Sequence, residues 1–226
     1  MSANLMSLAQ SGGKFLKLYG DRKMMKPLPY DAEVEYLEST GTQWIDTGVT
    51  MTYDLFDSAE TTITVLPNSS ETSGTHNFFG DGTSWYDGYT FGYTSGHYGN
   101  YKLQASNGFE STQHSVEFSI TSPKTLTVNK NGFAIDSEVA SIYGASSRVS
   151  SGTLILFGCR RNGVFFTTTK FSGRIYLAKM ISNHVSIFDF IPVRVGDVGY
   201  MYDRVSGQLF GNSGTGAFII GPDKTI

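Results

Sequence analysis

Residues 188–221 read FDFIPVRVGDVGYMYDRVSGQLFGNSGTGAFIIG, short apolar runs cut by glycine at 196, 207, 211, 214 and 216. No helix of useful length fits between such breaks, because a glycine inside a helix costs about 1 kcal/mol relative to alanine. Runs such as 188–190 and 199–202 are strand-sized, and the glycines offer the positive φ that tight turns between strands require. The segment therefore demands closely connected β-structure, with function left to loops. Neither this stretch nor the polar run at residues 36–48, YLESTGTQWIDTG, reads as an active site. Within it, Gly207, Gly211 and Gly214 are expected to serve turns, and Tyr200 and Phe210 the core.

The same two-residue period runs through the chain from Asp31. Ala32, Val34 and Tyr36 alternate with Glu33, Glu35 and Leu37, and residues 43–49 make a second short strand. Ile63 and Val65 share a face of the strand at 61–66, which ends in a turn at Pro67-Asn68-Ser69-Ser70. Leu126 and Val128 lead into Asn129-Lys130-Asn131-Gly132, and Phe133 and Ile135 lead out, which predicts a hairpin. A second hairpin is predicted where Ser182-Asn183-His184 joins 173–181 to 185–188. The apolar run at 153–157 suits a strand covered on both faces. Roughly twelve short strands at this spacing predict an all-β sandwich or barrel, and 226 residues suffice for one such domain plus an appendage.

That appendage is residues 1–29, with the β-domain spanning 30–226. Residues 1–26 hold Lys14, Lys17, Arg22, Lys23 and Lys26 against Asp21 alone, so a +4 arm precedes a body of −7. Phe15 and Tyr19 are the arm's only aromatics, and no nucleic-acid readout motif accompanies them, so the arm is expected to dock on an acidic protein surface. The single Cys159 excludes an intrachain disulfide. No window reaches the roughly 18 apolar residues of a membrane span, and the N-terminus lacks the apolar core of a signal peptide.

Three separated motifs, EYLESTGTQWIDTGV, FSGRIYLAKM and DFIPVRVGDVGYMYDRVSGQLFGNSGTGAF, give residues 32–221 a resemblance to concanavalin A-like, LamG-type jelly-roll domains. The subgroup they resemble occurs in gut-bacterial surface proteins and in structural, tail or head-fibre proteins of the phages that infect those bacteria. The resemblance implies a two-sheet antiparallel jelly roll, often with glycan binding on the concave sheet or its rim loops. The basic arm departs from such domains and stands where a secreted lectin would carry a signal peptide. Both facts point to a non-enzymatic bacteriophage virion protein. Residues 1–29 would anchor it to other virion proteins, many copies would sit on each particle, and the sandwich would face host-surface polysaccharide. The alternatives are a structural capsid or tail decoration without ligand, a secreted or cell-surface bacterial lectin, and a glycoside hydrolase.

Sugar rings present C–H faces that stack on aromatic planes. The aromatic-rich residues 76–109 therefore supply the glycan candidates Trp85, Tyr86, Tyr89, Tyr98 and Tyr101, with Asp87, His97 and Asn100 as hydrogen-bonding partners. Phe79, Phe91 and Tyr93 are expected to alternate into the core. Glu33-Val34-Glu35-Tyr36-Leu37-Glu38 has the spacing of a retaining-glycosidase carboxylate motif, but Glu35 replaces the central Asp and an edge strand explains the charges, so no catalytic residue is assigned. His76, His97, His114 and His184 lack zinc-ligand spacing, and no cofactor is expected. Asp81-Gly82 and Asp87-Gly88 offer oxygens to Ca²⁺ but fit turns better. Cys159, beside Arg160 and Arg161, is expected to be a half-buried strand-end residue rather than a reactive thiol.

Overall fold

A computed structural model describes residues 27–68, 74–82, 89–95, 101–107, 111–117, 121–136, 138–141, 152–161, 163–165 and 167–225, with the backbone alone at 82, 94–95, 101–107, 111–117 and 138–141. Two stacked sheets account for almost all of it. The larger sheet runs β11 (Glu138–Ser141), β10 (Gly132–Ile135), β9 (Lys124–Asn129), β4 (Ala59–Pro67), β15 (Ser172–Ser182), β16 (Val185–Val195), β17 (Val198–Asp203), β18 (Gln208–Phe210). β2 (Leu37–Thr40) continues it beside the first half of β15, with β19 (Ile219–Ile220) on its far side, and β1 (Ala32–Glu33) pairs with β16. The smaller sheet runs β14 (Val164–Phe165), β13 (Arg160–Arg161), β5 (Gly74–Gly82), β6 (Tyr89–Ser95), β7 (Tyr101–Asn107), β8 (Ser111–Glu117). β12 (Thr153–Leu156) lies between β5 and β3 (Ile45–Thr50) in that sheet. All pairings are antiparallel except β13 with β5.

Period-two burial drives the stacking. Ile63 and Val65 of β4, Leu126 and Val128 of β9, and Phe188 and Phe190 of β16 point inward from the larger sheet. Phe79, Phe91 and Tyr93 meet them from the smaller one, all fully buried as their alternation predicts. Edge-to-face contacts such as Phe78–Phe91, centroids 5.9 Å apart at 87°, order this aromatic core. Residues 154–157 are buried without exception, which fits a strand flanked by β3 and β5.

Both predicted hairpins form. Asn129 pairs with Gly132, so the two-residue turn is Lys130-Asn131, one position before the expected Asn-Gly, and Asn129 Oδ1 accepts from the Asn131 N–H at 2.9 Å. Ser182 pairs with Val185 across Asn183 and His184, whose φ angles of 48° and 66° are those of a turn matched to strand twist.

Four expectations are corrected. The alternation at 32–37 breaks, because Val34 and Leu37 are buried while Tyr36 is half-buried; Val34 forms only an isolated bridge, so one strand becomes β1 and β2. Met201 rather than Tyr200 enters the core, the inward positions of β17 being Gly199, Met201 and Asp203. Asp81-Gly82 ends β5 rather than forming a turn, with Asp81 buried and accepting from the Gly152 N–H at 3.0 Å. Of the five closing glycines, 196, 207 and 216 take positive φ, 214 is needed for close approach to the Thr42 carbonyl, and a Cβ at 211 would sit 3.2 Å from the Tyr200 ring.

One short helix, α1 (Tyr53–Ser58), is not signalled by any long 3.6-residue period. Thr52 Oγ1 caps it by accepting from the Leu55 N–H at 3.2 Å, and buried Phe56 anchors it against Tyr89.

Candidate functional site

The opening and closing motifs meet. The turn between β2 and β3 is pinned from inside by buried Ser39 and Gln43: Gln43 Oε1 accepts from the Thr40 N–H at 2.8 Å and the Ser39 hydroxyl at 3.0 Å, and Ser39 Oγ accepts from the Gly41 N–H at 3.0 Å. Gly41 has φ +97°, which an L side chain rarely adopts. The turn delivers Trp44 half-exposed, one residue before β3.

The loop after β18 then lies against 42–44 almost as another strand. Ser213 N–H donates to the Trp44 carbonyl at 2.8 Å and Thr215 N–H to the Thr42 carbonyl at 3.1 Å. Asn212 Oδ1 accepts from the Trp44 N–H at 3.2 Å and the Gly214 N–H at 2.8 Å, while its amide donates to the Gly216 carbonyl. A Cβ at Gly214 would stand 2.1 Å from the Thr42 carbonyl oxygen, so only glycine permits this approach.

A third segment completes the site. Phe165 stacks on Trp44 with centroids 5.4 Å apart and planes 8° from parallel. Gly158 makes room for it, since a Cβ there would come within 2.6 Å of the Phe165 ring. Arg160 stands 5.5 Å over the Trp44 ring, tied to Asp46 at 2.8 Å and to Thr153. Burial would raise the Asp46 carboxyl, but the Thr153 hydroxyl, the Gly48 N–H and Arg160 together hold it below the usual carboxylate range.

Gly41, Thr42, Trp44, Phe165, Thr167, Lys170, Gly214 and Thr215 enclose an open pocket of about 280 Å³. Lys170 follows the 3₁₀ turn Thr167–Thr169, with its carbonyl 3.1 Å from His76 Nδ1. Next to it, the Phe171 N–H bonds to the Phe157 carbonyl. Its stem lies along Gly41, where a Cβ would approach Cδ, Cε and Nζ at 3.1–3.3 Å. The walls thus combine a paired aromatic surface, three threonines and one ammonium. That suits a small polar ring with an apolar face. No carboxylate lines the pocket among the described residues.

A second cavity, about 240 Å³, lies over β9 and β10 beside Glu60, Asn129 and Asn131. It lacks a stacked aromatic pair, and its one aromatic, Phe133, is a buried core residue.

Of the expected glycan residues, Tyr89 is corrected: its side chain is buried, and its hydroxyl sits 3.1 Å from both Thr61 Oγ1 and the Val128 carbonyl. Desolvation raises its pKa, and the ring is closed to any ligand. Tyr101 begins β7, opposite Ser95. Trp85, Tyr86, Asp87, His97, Tyr98 and Asn100 lie outside the described residues, as do the arm residues Lys14, Phe15, Lys17, Tyr19, Arg22, Lys23 and Lys26.

The carboxylates of the glycosidase-like motif are dispersed. Glu33 on β1 accepts from Tyr30 and stands 3.9 Å from Lys224, whereas Glu38 on β2 pairs with Arg174 at 2.6 Å. β2 is also not an edge strand, having β15 on one side and β19 on the other.

Cys159 is buried, not half-buried, and its sulfur lies 3.0 Å from Thr169 Oγ1 and from Asn77 Nδ2. Burial pushes the thiol pKa up despite those two bonds, so the neighbouring arginines do not activate it. Among the described residues no group of three or more His, Cys, Asp or Glu is placed to hold a metal, and no helix is long and apolar enough to cross a membrane.

Sequence reasoning passed over Trp44, Phe165, Lys170, Thr42 and Thr215. The available signal was Trp44 itself, one of two tryptophans, set directly after a polar glycine turn.

By sequence the chain matches no protein-family profile and no curated protein. In fold it is similar to a candidate carbohydrate binding protein from Bacteroides ovatus, with 10% identity and a TM-score of 0.55 over 88% of this chain. The match covers 62% of that protein, so this chain spans less than two thirds of its length. Weaker likenesses are a heptameric SAP-like pentraxin from Limulus polyphemus (11% identity, TM-score 0.46, 87% of this chain and 93% of that one) and a CBM40 of a Ruminococcus gnavus IT-sialidase (12% identity, TM-score 0.41, 69% and 89%). At such identities the likeness speaks to fold: the chain is an all-β, two-sheet jelly-roll sandwich.

Proposed function

We propose that this chain is a non-catalytic carbohydrate-binding sandwich whose glycan site is the pocket at Trp44 and Phe165, displayed on a bacteriophage particle toward host-surface polysaccharide. The stacked Trp44–Phe165 pair, half-exposed and flanked by threonine hydroxyls, carries the binding part of this reading. Similarity in fold to a candidate carbohydrate binding protein supports it at the level of architecture. Trp85, Tyr86, Tyr98 and Tyr101, with Asp87, His97 and Asn100, are proposed as additional contacts. Weak contacts multiplied over many copies suit host attachment without one tight site.

Titration of host polysaccharide or a glycan array against Trp44→Ala tests the site. Affinity is expected to fall at least about tenfold, as loss of a stacking aromatic implies, with an unchanged circular dichroism spectrum. Unaltered binding retires the pocket.

The virion part of the reading is supported by the resemblance of the three motifs and by the +4 charge of residues 1–26 against the −7 body. A chain lacking residues 1–29 is expected to fold but fail to join particles when supplied in trans. Normal incorporation removes the anchoring role.

A further inference from the structure

We infer, resting on the carbohydrate reading of the pocket, that the site selects an anionic sugar bearing a carboxylate or sulfate, and that Lys170 is the residue that selects it. Lys170 is the one charged residue lining the pocket among those described. It makes no ion pair among the described residues. The other cation at the site, Arg160, is already neutralised by Asp46. Among the described residues, the aromatic walls therefore carry one positive charge without a paired carboxylate.

Position reinforces charge. The peptide that follows Lys170 is held at both its carbonyl and its N–H, by His76 and Phe157, and the aliphatic stem rests on Gly41, whose missing side chain leaves the space it fills. The half-buried side chain thus reaches the pocket with few alternatives open to it. An ammonium beside aromatic walls is less well hydrated than one in open water, and an anion brought to it gains more than it would at a free surface. A neutral sugar would need acceptors for its many hydroxyl protons. Here the lining side chains offer three hydroxyls and a donor that accepts nothing. The stacked pair supplies affinity for any pyranose face, and Lys170 supplies the discrimination.

The experiment titrates the full chain with three size-matched oligosaccharides: one neutral, one containing a uronate and one sulfated. At least one acidic ligand is expected to bind about tenfold more tightly than the neutral one, by an advantage that shrinks as salt is raised. Lys170→Gln is expected to abolish the preference, bringing the ratio of acidic to neutral affinity to about one, and Lys170→Arg to retain it. The two acidic arms distinguish carboxylate from sulfate as the source of the anion. Equal affinity for neutral and acidic sugars, or an acidic preference that survives Lys170→Gln, overturns the inference but leaves the carbohydrate site standing. Binding of none of the three by the wild-type chain overturns both.

Discussion

Two loops of the closing segment use the same chemistry to opposite ends. After β17, Asp203 turns the chain on itself: its Oδ1 accepts from the Asp189 N–H at 2.8 Å and the Val205 N–H at 3.1 Å, and its Oδ2 from the Ser206 N–H at 3.0 Å. After β18, Asn212 takes the equivalent place, but its acceptor reaches out to Trp44, in a segment separated by 168 positions. Glycine assists both, through a φ of +72° at Gly207 and through the absence of a Cβ at Gly214. The first loop closes a hairpin and spends its polar groups on itself and on Asp189 of the strand just before it, β16. The second props open a pocket because it also bonds to Thr42 and Trp44, in the turn between β2 and β3. Identical local grammar therefore builds scaffold in one case and a site in the other.

The comparison breaks most sharply at Gly214. Gly214→Ala places a methyl 2.1 Å from the Thr42 carbonyl oxygen and 2.8 Å from Trp44 Cδ1. Backbone must move, since the neighbour is not the end of a flexible side chain, and overpacking of this kind costs about 3 kcal/mol. Loss of saccharide binding is expected to accompany that destabilisation, read by titration and urea denaturation on the same sample. Full binding with the stability loss would mean that the loop is only scaffold, like its neighbour.

What was legible in the sequence follows the same division. Periodicity reveals what faces inward: Ile63 with Val65, and Phe79, Phe91 and Tyr93, obey it and are buried. Tyr89 was readable by the same rule, being two and four residues before Phe91 and Tyr93 on β6, yet its hydroxyl invited a surface role. The hydroxyl instead finds Thr61 and Val128 inside the core, and no local pattern shows such a partner. Asp81-Gly82 carries a turn signal that pairing with β13 and, at Asp81, with β6 overrides. The pocket was the least legible feature. Its residues come from 41–44, 165–170 and 214–215, and only the tertiary fold, with β2 and β18 in the larger sheet and β14 in the smaller, brings them together. The opening and closing motifs each look like scaffold in the sequence because neither, taken singly, shows its partner.

Asp203 gives the smaller effect and the cleaner control. Burial would raise its carboxyl, but the Ser206 hydroxyl and the N–H groups of Asp189, Val205 and Ser206 outweigh it and hold the pKa below the ordinary value. A carboxyl depressed in the folded state contributes stability that is complete above its unfolded pKa, about 3.9, and is lost as pH falls through the folded value. Asp203→Asn keeps the shape but turns an amide toward the Ser206 N–H or forfeits a charged acceptor, at a cost of about 2 kcal/mol near neutral pH. Wild-type and variant urea midpoints are therefore expected to differ most above about pH 5 and to converge as the pH drops below about 4. Asp46, Asp136 and Asp223 are depressed too, but they are present in both proteins and cancel in the difference. Saccharide affinity of the folded variant should stay at the wild-type level, because Asp203 is absent from the pocket lining. A gap that persists at low pH would locate the cost in packing rather than charge. A fall in affinity would mean that the two loops are coupled through the short strand β18, and that the hairpin turn helps to set the pocket.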